Sequence, residues 1–387
     1  MRFREALARP GLAAIAEFKR RSPSAGDLRP EADAAATARA YDAAGAAAMS
    51  ILVDERFGGT WDDLRAARAS AGLPLLAKGF FSSEADLRTA REAGADAVLL
   101  ILRDLGDTEA TELMRAAESL GLDALVEVHD AAELDRAVQL GADPIGINAR
   151  DLSTFAIDRR AQLDLVAQSH KVTEGRVIVA ESGIGTRAQG AAAELAGADA
   201  ILVGTVLMRA PDPARKLAEL SSRPLVKVCG LTRQEDVDVA VEAGADLLGF
   251  ILVNASPRKA PQVLPVPDEV LSVAVFVGEP EVTGADLVQL YERADGRVRG
   301  RDGVLLREGE EVARVVDLPW EEHDEQHLDR AAAAEGRIVL AGRLGPENVR
   351  AAIEAVQPWA VDAASRLERE PGIKDHARVR AFVAAAK

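Results

Sequence analysis

The chain has 387 residues, a length that suits two domains, and its 48% hydrophobic content suffices for a large core. No apolar run reaches the length of a membrane span, and the net charge of −16 disfavours non-specific nucleic-acid binding. A single cysteine, Cys229, excludes an internal disulfide and fits a reducing cytoplasm. Arg2 and Arg4 precede an Ala-rich, charged stretch and not an apolar signal segment. The five histidines and Cys229 show no zinc-ligand spacing, so neither metal nor cofactor is expected. His323 and His327 stand among acidic residues and read as a solvated helix face. The chain is expected to be a cytoplasmic monomer.

The first predicted strand, 12–18, delivers Glu17 and Lys19 to one face, because alternate strand residues point the same way. Opposite charges facing a barrel interior are costly without a purpose, yet a structural ion pair explains this spacing equally well. Further strands are predicted at 48–53, 74–78, 97–102, 124–128, 144–148, 177–180 and 200–203. Helices fit at 30–44, 61–71, 83–93, 107–120, 130–140 and 186–196. A phrase recurs before the apolar runs: Ala93-Gly-Ala-Asp96, Leu140-Gly-Ala-Asp143, Ala196-Gly-Ala-Asp199 and Ala243-Gly-Ala-Asp246. It reads as a helix stopped by glycine in the left-handed position, followed by a tight turn and a fully buried strand. The recurrence implies repeated αβ units with parallel strands, and residues 1–221 fit a (β/α)₈ barrel.

A second series follows at 225–228, 247–252, 272–277, 287–290, 304–306, 313–316, 338–341 and 359–362. Residues 222–387 are therefore expected to form a second, smaller (β/α)₈ TIM barrel. Helices after its third to fifth strands look shortened or missing, and 296–309 looks like a loop and hairpin.

Catalytic groups of such barrels stand at the C-terminal ends of the strands. In the first half those ends carry Glu17 and Lys19, then Asp54-Glu55-Arg56, Lys78, Glu127, Asn148 and Arg150, Glu181-Ser182-Gly183, and Gly204-Thr205. Any of them alone reads as a rim charge or an ordinary turn; together they indicate one site. The small-residue turns after strands seven and eight let backbone amides approach an oxyanion, which points to phosphate.

The segments Ala16–Ser24, Asp54-Glu-Arg-Phe57, Leu125-Val-Glu-Val-His-Asp130, Ile145–Leu152 and Val179–Ile184 resemble indole-3-glycerol-phosphate synthase, in that family's order. Val226-Lys-Val-Cys-Gly-Leu-Thr-Arg233, Ser256-Pro-Arg258, Pro346-Glu-Asn-Val349 and Pro371-Gly-Ile-Lys-Asp375 resemble phosphoribosylanthranilate isomerase. The resemblance implies a fused enzyme of tryptophan biosynthesis acting on anionic phosphosugar-anthranilate substrates. In the first half it implies catalysis by Glu17, Lys19, Lys78, Glu127, Asn148 and Glu181, with Ser22, Arg150, Ser182, Gly183, Gly204 and Thr205 binding substrate. A Lys78 donor would work best with a pKa lowered by neighbouring cations.

In the second half the resemblance implies Cys229 as base, with Lys227 favouring its thiolate, and Arg258 as a substrate ligand. Asp317 is the candidate acid, although a turn aspartate before Pro319 reads as well. Phosphate is expected near Gly342 and Ser365. Departures are Gly79 and Ala149 in the first half, a mostly missing N-terminal extension, and Arg343, Arg366 and the stretch 318–323 in the second. They keep a decayed isomerase barrel, or a non-catalytic stabilising module, in contention. A different phosphosugar isomerase barrel would be expected to use an aspartate pair.

Overall fold

A computed structural model describes residues 2–22, 26–151, 154–173, 175–292, 302–318 and 323–387. The chain falls into two compact units, Met1–Gly185 with Gly190–Ser221, and Thr186–Gln189 with Ser222–Lys387. Each unit holds a closed eight-stranded barrel. The protein therefore consists of two consecutive (β/α)₈ barrels.

The first barrel is built from β1 (Ala13–Phe18), β2 (Ala48–Leu52), β3 (Leu75–Lys78), β4 (Ala97–Ile101), β5 (Asp123–Val128), β6 (Ile145–Asn148), β7 (Ile178–Glu181) and β8 (Ala200–Val203). Every neighbouring pair is parallel, and β1 closes the ring between β8 and β2. Inward-facing Ile15, Leu76, Leu99, Leu125, Val179 and Leu202 fill the interior, joined by Phe3 and Leu7 of an N-terminal helix, Phe3–Leu7. Outward residues such as Ala16, Phe18, Met49, Ile51 and Val126 pack on the surrounding helices. The helices predicted from the hydrophobic pattern are present, with slightly shorter ends, and Arg159–Val172 adds another.

The recurring Gly-Ala-Asp phrase has a role that its helix-stopping glycine does not reveal. Gly94, Gly141, Gly197 and Gly244 do take left-handed backbone, with φ of 100°, 78°, 111° and 90°. The aspartate two residues later accepts a backbone N–H from the neighbouring strand. Asp96 binds Leu75 N at 2.8 Å, Asp199 binds Ile178 N at 2.8 Å, and Asp246 binds Val226 N at 2.8 Å. Asp143 does the same for Val177 N at 3.0 Å. The repeat thus stops a helix and stitches adjacent strands at the end of the barrel where the strands begin.

The second barrel comprises β9 (Leu225–Cys229), β10 (Leu247–Ile251), β11 (Leu271–Val277), β12 (Leu287–Tyr291), β13 (Asp302–Arg307), β14 (Glu310–Val316), β15 (Ile338–Leu340) and β16 (Ala360–Ala363). Here the parallel pattern implied by the repeat fails at one strand. β13 runs antiparallel to both β12 and β14. The cause is a two-residue hairpin turn at Glu308 and Gly309, whose φ values of 50° and 84° reverse the chain where a crossover helix would otherwise run. The hairpin expected within 296–309 thus turns at 308–309; residues 296–301 lie outside the described residues. Among the described residues no helix lies between β10 and β11 or between β11 and β12. The helices Gln234–Ala243, Val349–Val356 and His376–Ala386 carry much of this unit's apolar cladding through Val237, Ala240, Val349, Ala352, Val379 and Phe382. Among the described residues no helix is long and apolar enough to cross a membrane.

The stitching aspartates should therefore bear on stability. Asp199→Ala leaves the Ile178 amide short of a partner and should cost about 1–3 kcal/mol in urea unfolding. Asp199→Asn keeps an acceptor and should recover most of that loss. An unchanged midpoint for Asp199→Ala would reject the stitch.

Candidate functional site

Alternation aims one polar side chain after another from the strand ends into the mouth of the first barrel. Glu17 is 3% exposed, Glu127 2%, Asn148 9% and Glu181 fully buried. Lys78, at the end of β3, reaches into their midst. Its Nζ lies 2.7 Å from Glu181, 3.6 Å from Glu17 and 3.9 Å from Glu127. Lys19 donates to the other oxygen of Glu17. The four residues Glu17, Lys19, Lys78 and Glu127, which the sequence only suggests belong together, do converge, with Lys78 joining Glu17 and Glu127 to Glu181.

Burial and Coulomb attraction oppose one another here. Burial pushes Glu17 upward, but Lys19 and Lys78 outweigh it and hold the pKa below the usual carboxylate range. Burial likewise acts on Glu127, where His129, Lys78 and Asn148 prevail and lower it. At Glu181 burial wins, helped by the charges of Glu127 and Glu17 against Lys78, and the pKa is pushed up to about 7. Lys78 departs from expectation. Burial would depress it, yet Glu181, Glu17 and Glu127 together raise it well above an ordinary lysine. The neighbouring cation foreseen from sequence does not set its pKa; three carboxylates do.

Room for these carboxylates comes from two glycines. A Cβ on Gly146 would stand 2.2 Å from Glu181 Oε1, and one on Gly204 would stand 2.3 Å from Glu17 Oε1. Gly204 was foreseen as a phosphate ligand; its clearance role, and Gly146 altogether, escape a strand-pattern reading. Gln162, also missed, donates its side-chain amide to Ile147 O at 2.7 Å and Glu181 O at 2.6 Å, fixing β6 against β7. Asn148 Oδ1 accepts from the Arg150 backbone at 3.0 Å, and Arg150 Nη1 reaches Phe155 O at 3.1 Å. Burial lowers the Arg150 pKa against the pull of Glu17.

Strand register sets Glu181 beside Leu202, so the turns after β7 and β8 are adjacent. Ser182 and Gly183 both take left-handed backbone, with φ of 69° and 72°. Gly204 opens the short helix Thr205–Arg209. Ser22 is buried in a small strand pair with Gly26, and Arg20 clamps that loop by donating to both oxygens of Asp63 at 2.7 and 2.8 Å.

The second barrel also turns polar groups inward. Cys229, at the end of β9, is 5% exposed. Gly249 leaves it space, since a Cβ there would come within 2.6 Å of its Sγ. Lys227, two residues earlier, is fully buried and donates to Gln289 and Asp362, each at 2.7 Å. Gln289 donates to Tyr291 OH at 2.6 Å, and Tyr291 donates to Asp317 at 2.8 Å. Asp317 also accepts from Leu318 N at 2.7 Å. Asp317 is therefore an inward group in a continuous polar row, as well as a turn residue.

Burial pushes the Cys229 thiol pKa up, and the nearby charge of Lys227, which acts to lower it, does not prevail. The expectation that Lys227 would favour the thiolate is thus met in direction and overruled in sum. Arg258 donates Nε to Glu368 at 2.8 Å, and buried Lys374 donates to the same carboxylate and to Ala364 O, each at 3.0 Å. Gly342 packs on Leu318, where a Cβ would meet the backbone nitrogen at 2.5 Å. Ser365 opens the short turn Ser365–Leu367, and Arg366 turns to Glu347 at 2.5 Å. Asp362, Gln289, Tyr291, Lys374 and Glu368 were not anticipated. Asp362 carried a readable signal, as the acid in the otherwise apolar strand β16.

Comparison with known proteins follows the same division. Residues 1–220 match the family model of indole-3-glycerol phosphate synthase, and residues 321–385 match that of N-(5'-phosphoribosyl)anthranilate isomerase. Indole-3-glycerol phosphate synthase 2 of Streptomyces coelicolor is 47% identical over 219 residues, covering 56% of this chain and 84% of that protein. The synthase of Opitutus terrae is 45% identical over 229 residues, covering 57% and 85%. A solved phosphoribosyl anthranilate isomerase from Thermotoga maritima shares 26% identity over 42% of this chain and 98% of its own, with a TM-score of 0.31.

The clearance glycines give a direct test of the first site. Gly204→Ala should displace Glu17 and lower turnover at least about tenfold, while the melting temperature moves little. Wild-type turnover in that variant would mean that the position of Glu17 is unimportant.

Proposed function

The chain belongs to the indole-3-glycerol phosphate synthase family, and from that premise we propose what each inward group does. It is an enzyme of tryptophan biosynthesis that joins a synthase domain to an isomerase domain. The isomerase rearranges N-(5-phosphoribosyl)anthranilate to the open-chain keto sugar. The synthase closes that product to indole-3-glycerol phosphate with loss of CO₂ and water.

One observation carries the assignment in the first barrel: a single ammonium, Lys78, is encircled by three buried carboxylates. Ring closure needs a donor at the keto oxygen, and Lys78 fills that role. Three carboxylates hold its proton firmly, so it gives the proton late, to an oxygen already carrying negative charge. Glu127 takes protons and steadies the developing iminium. Glu181, poised at about 7, can hold or release a proton near neutrality. Lys19 binds the substrate carboxylate. Glu17, Asn148 and Arg150 orient the anthranilate and hydroxyls, and Ser22, Ser182, Gly183, Gly204 and Thr205 hold phosphate.

In the second barrel Cys229 removes the C2 proton and Asp317 protonates the ribose ring oxygen. Arg258 binds substrate, with phosphate near Gly342 and Ser365. The row from Asp362 through Lys227, Gln289 and Tyr291 to Asp317 supports an active domain over a decayed one. A scaffold retained only for stability gains little from a chain of buried polar groups, because each must be satisfied at the expense of apolar packing. The single cysteine supports a cytoplasmic setting, and a monomer is the assembly we propose.

Separate variants divide the two activities. Lys78→Ala should abolish ring closure, with a fold intact by circular dichroism and isomerisation retained. Cys229→Ala and Asp317→Asn should each lower isomerisation by about a hundredfold or more and leave ring closure alone. Complementation of two tryptophan auxotrophs, each lacking one activity, reads both domains at once. Failure to rescue the isomerase auxotroph would return the second barrel to a structural role.

A further inference from the structure

The roles above leave one buried titratable group unused. His129 follows β5 by one residue, and only 3% of its side chain is exposed. Its Nε2 lies 3.3 Å from Glu127 Oε1, and its Nδ1 lies 3.1 Å from Glu133 Oε2. The His129 backbone N–H donates to that same Glu133 oxygen at 2.8 Å, which locks the loop to the first turn of the helix Ala131–Gln139. The other Glu133 oxygen accepts from Arg103 Nε at 3.1 Å, and the Arg103 side chain is 34% exposed. The side chains therefore stand in a row, from the carboxylate in the pocket, past an imidazole whose Nε2 approaches it without an aligned hydrogen bond, through a second carboxylate to a guanidinium at the surface.

The stoichiometry of ring closure gives such a row a use. The substrate carboxylate is an anion near neutral pH. It leaves as uncharged CO₂, and the hydroxyl leaves as uncharged water. Charge balance then consumes a proton from outside in every turnover. Lys78, Glu127 and Glu181 return to their starting states each cycle, so they cannot be its net source.

We propose that His129 is a positioning and proton-relay residue of the synthase, its imidazolium passing a proton to Glu127 in each turnover while Glu133 holds the ring in place. This rests on the ring-closure reading of the first barrel. In the step, the Nε2–H bond breaks and its electron pair stays on nitrogen while an O–H bond forms on Glu127. The ring is left neutral, with its Nδ1–H held by the Glu133 carboxylate, and a proton taken from solvent restores the imidazolium between turnovers. Three charged groups face the ring: Glu127, Glu133 and Arg103. Burial and Arg103 disfavour the imidazolium, but the two carboxylates outweigh them and raise its pKa above that of an ordinary histidine. The proton is therefore present below that raised pKa and lost as pH rises through it.

The test uses the full chain, with ring closure by the wild type established first; its absence would remove the parent reading and not the relay alone. His129→Asn and His129→Gln are then compared with wild type from about pH 6 to 9, with folding followed by circular dichroism. The relay predicts kcat lowered about tenfold or more, KM little changed, and loss of the decline on the alkaline side. Glu133→Gln, at the outer end of the row, should lower kcat and move the alkaline decline to lower pH, and it carries the test if the histidine variants do not fold. Wild-type kcat in a folded variant overturns the relay. So does a lowered kcat with the alkaline decline intact, since that marks a structural part only.

Discussion

The charge balance at the mouth of the first barrel depends on the Lys78 ammonium. Three carboxylates, Glu17, Glu127 and Glu181, are taken almost entirely out of water at one end of the strands. Left unpaired, each would cost several kcal/mol (order of magnitude) or give up its charge. Lys78 touches all three, and Lys19 adds a second cation at Glu17. The compensation is uneven. Two carboxylates are held below their usual range, and the third is left near neutrality. That unevenness turns a cluster of like charges into separate acid and base roles.

The second barrel solves a similar problem with fewer charges. Its buried lysine, Lys227, is balanced by Asp362 and hydrogen-bonded to Gln289. Cys229 shares its strand face two residues on, so the charge of the lysine that stabilises the interior also acts on the thiol. In both units a small residue on a neighbouring strand makes the geometry possible: Gly146 and Gly204 beside carboxylates, Gly249 beside the thiol. Backbone without a side chain is what lets a polar group occupy space that a barrel interior otherwise fills with apolar layers.

The scaffold was largely legible in advance. Apolar runs of three to seven residues marked the strands of both barrels, including β13 and β14 of the second. The Gly-Ala-Asp phrase announced repeated units. Its glycine was readable, because left-handed backbone at a helix end is a local demand. Its aspartate was not, because the amide it binds belongs to another strand. The reversed strand β13 was hidden for the same reason: a short apolar run has no direction until its partners are known.

What the amino-acid order alone determined is therefore local: strand and helix positions, which side chains share a face, and which strand ends carry acids, bases and glycines. These follow from chain stereochemistry and hydrophobic period, which act over a few residues. What only the tertiary structure decided is the charge state of the site. Lys78 was expected to have its pKa lowered by Lys19, and instead three carboxylates from β1, β5 and β7 raise it. Cys229 was expected to be eased toward the thiolate by Lys227, and burial prevails. Both outcomes depend on distances of a few ångströms between residues far apart in the chain, and on how completely water is excluded around them. Neither quantity exists before the barrels close.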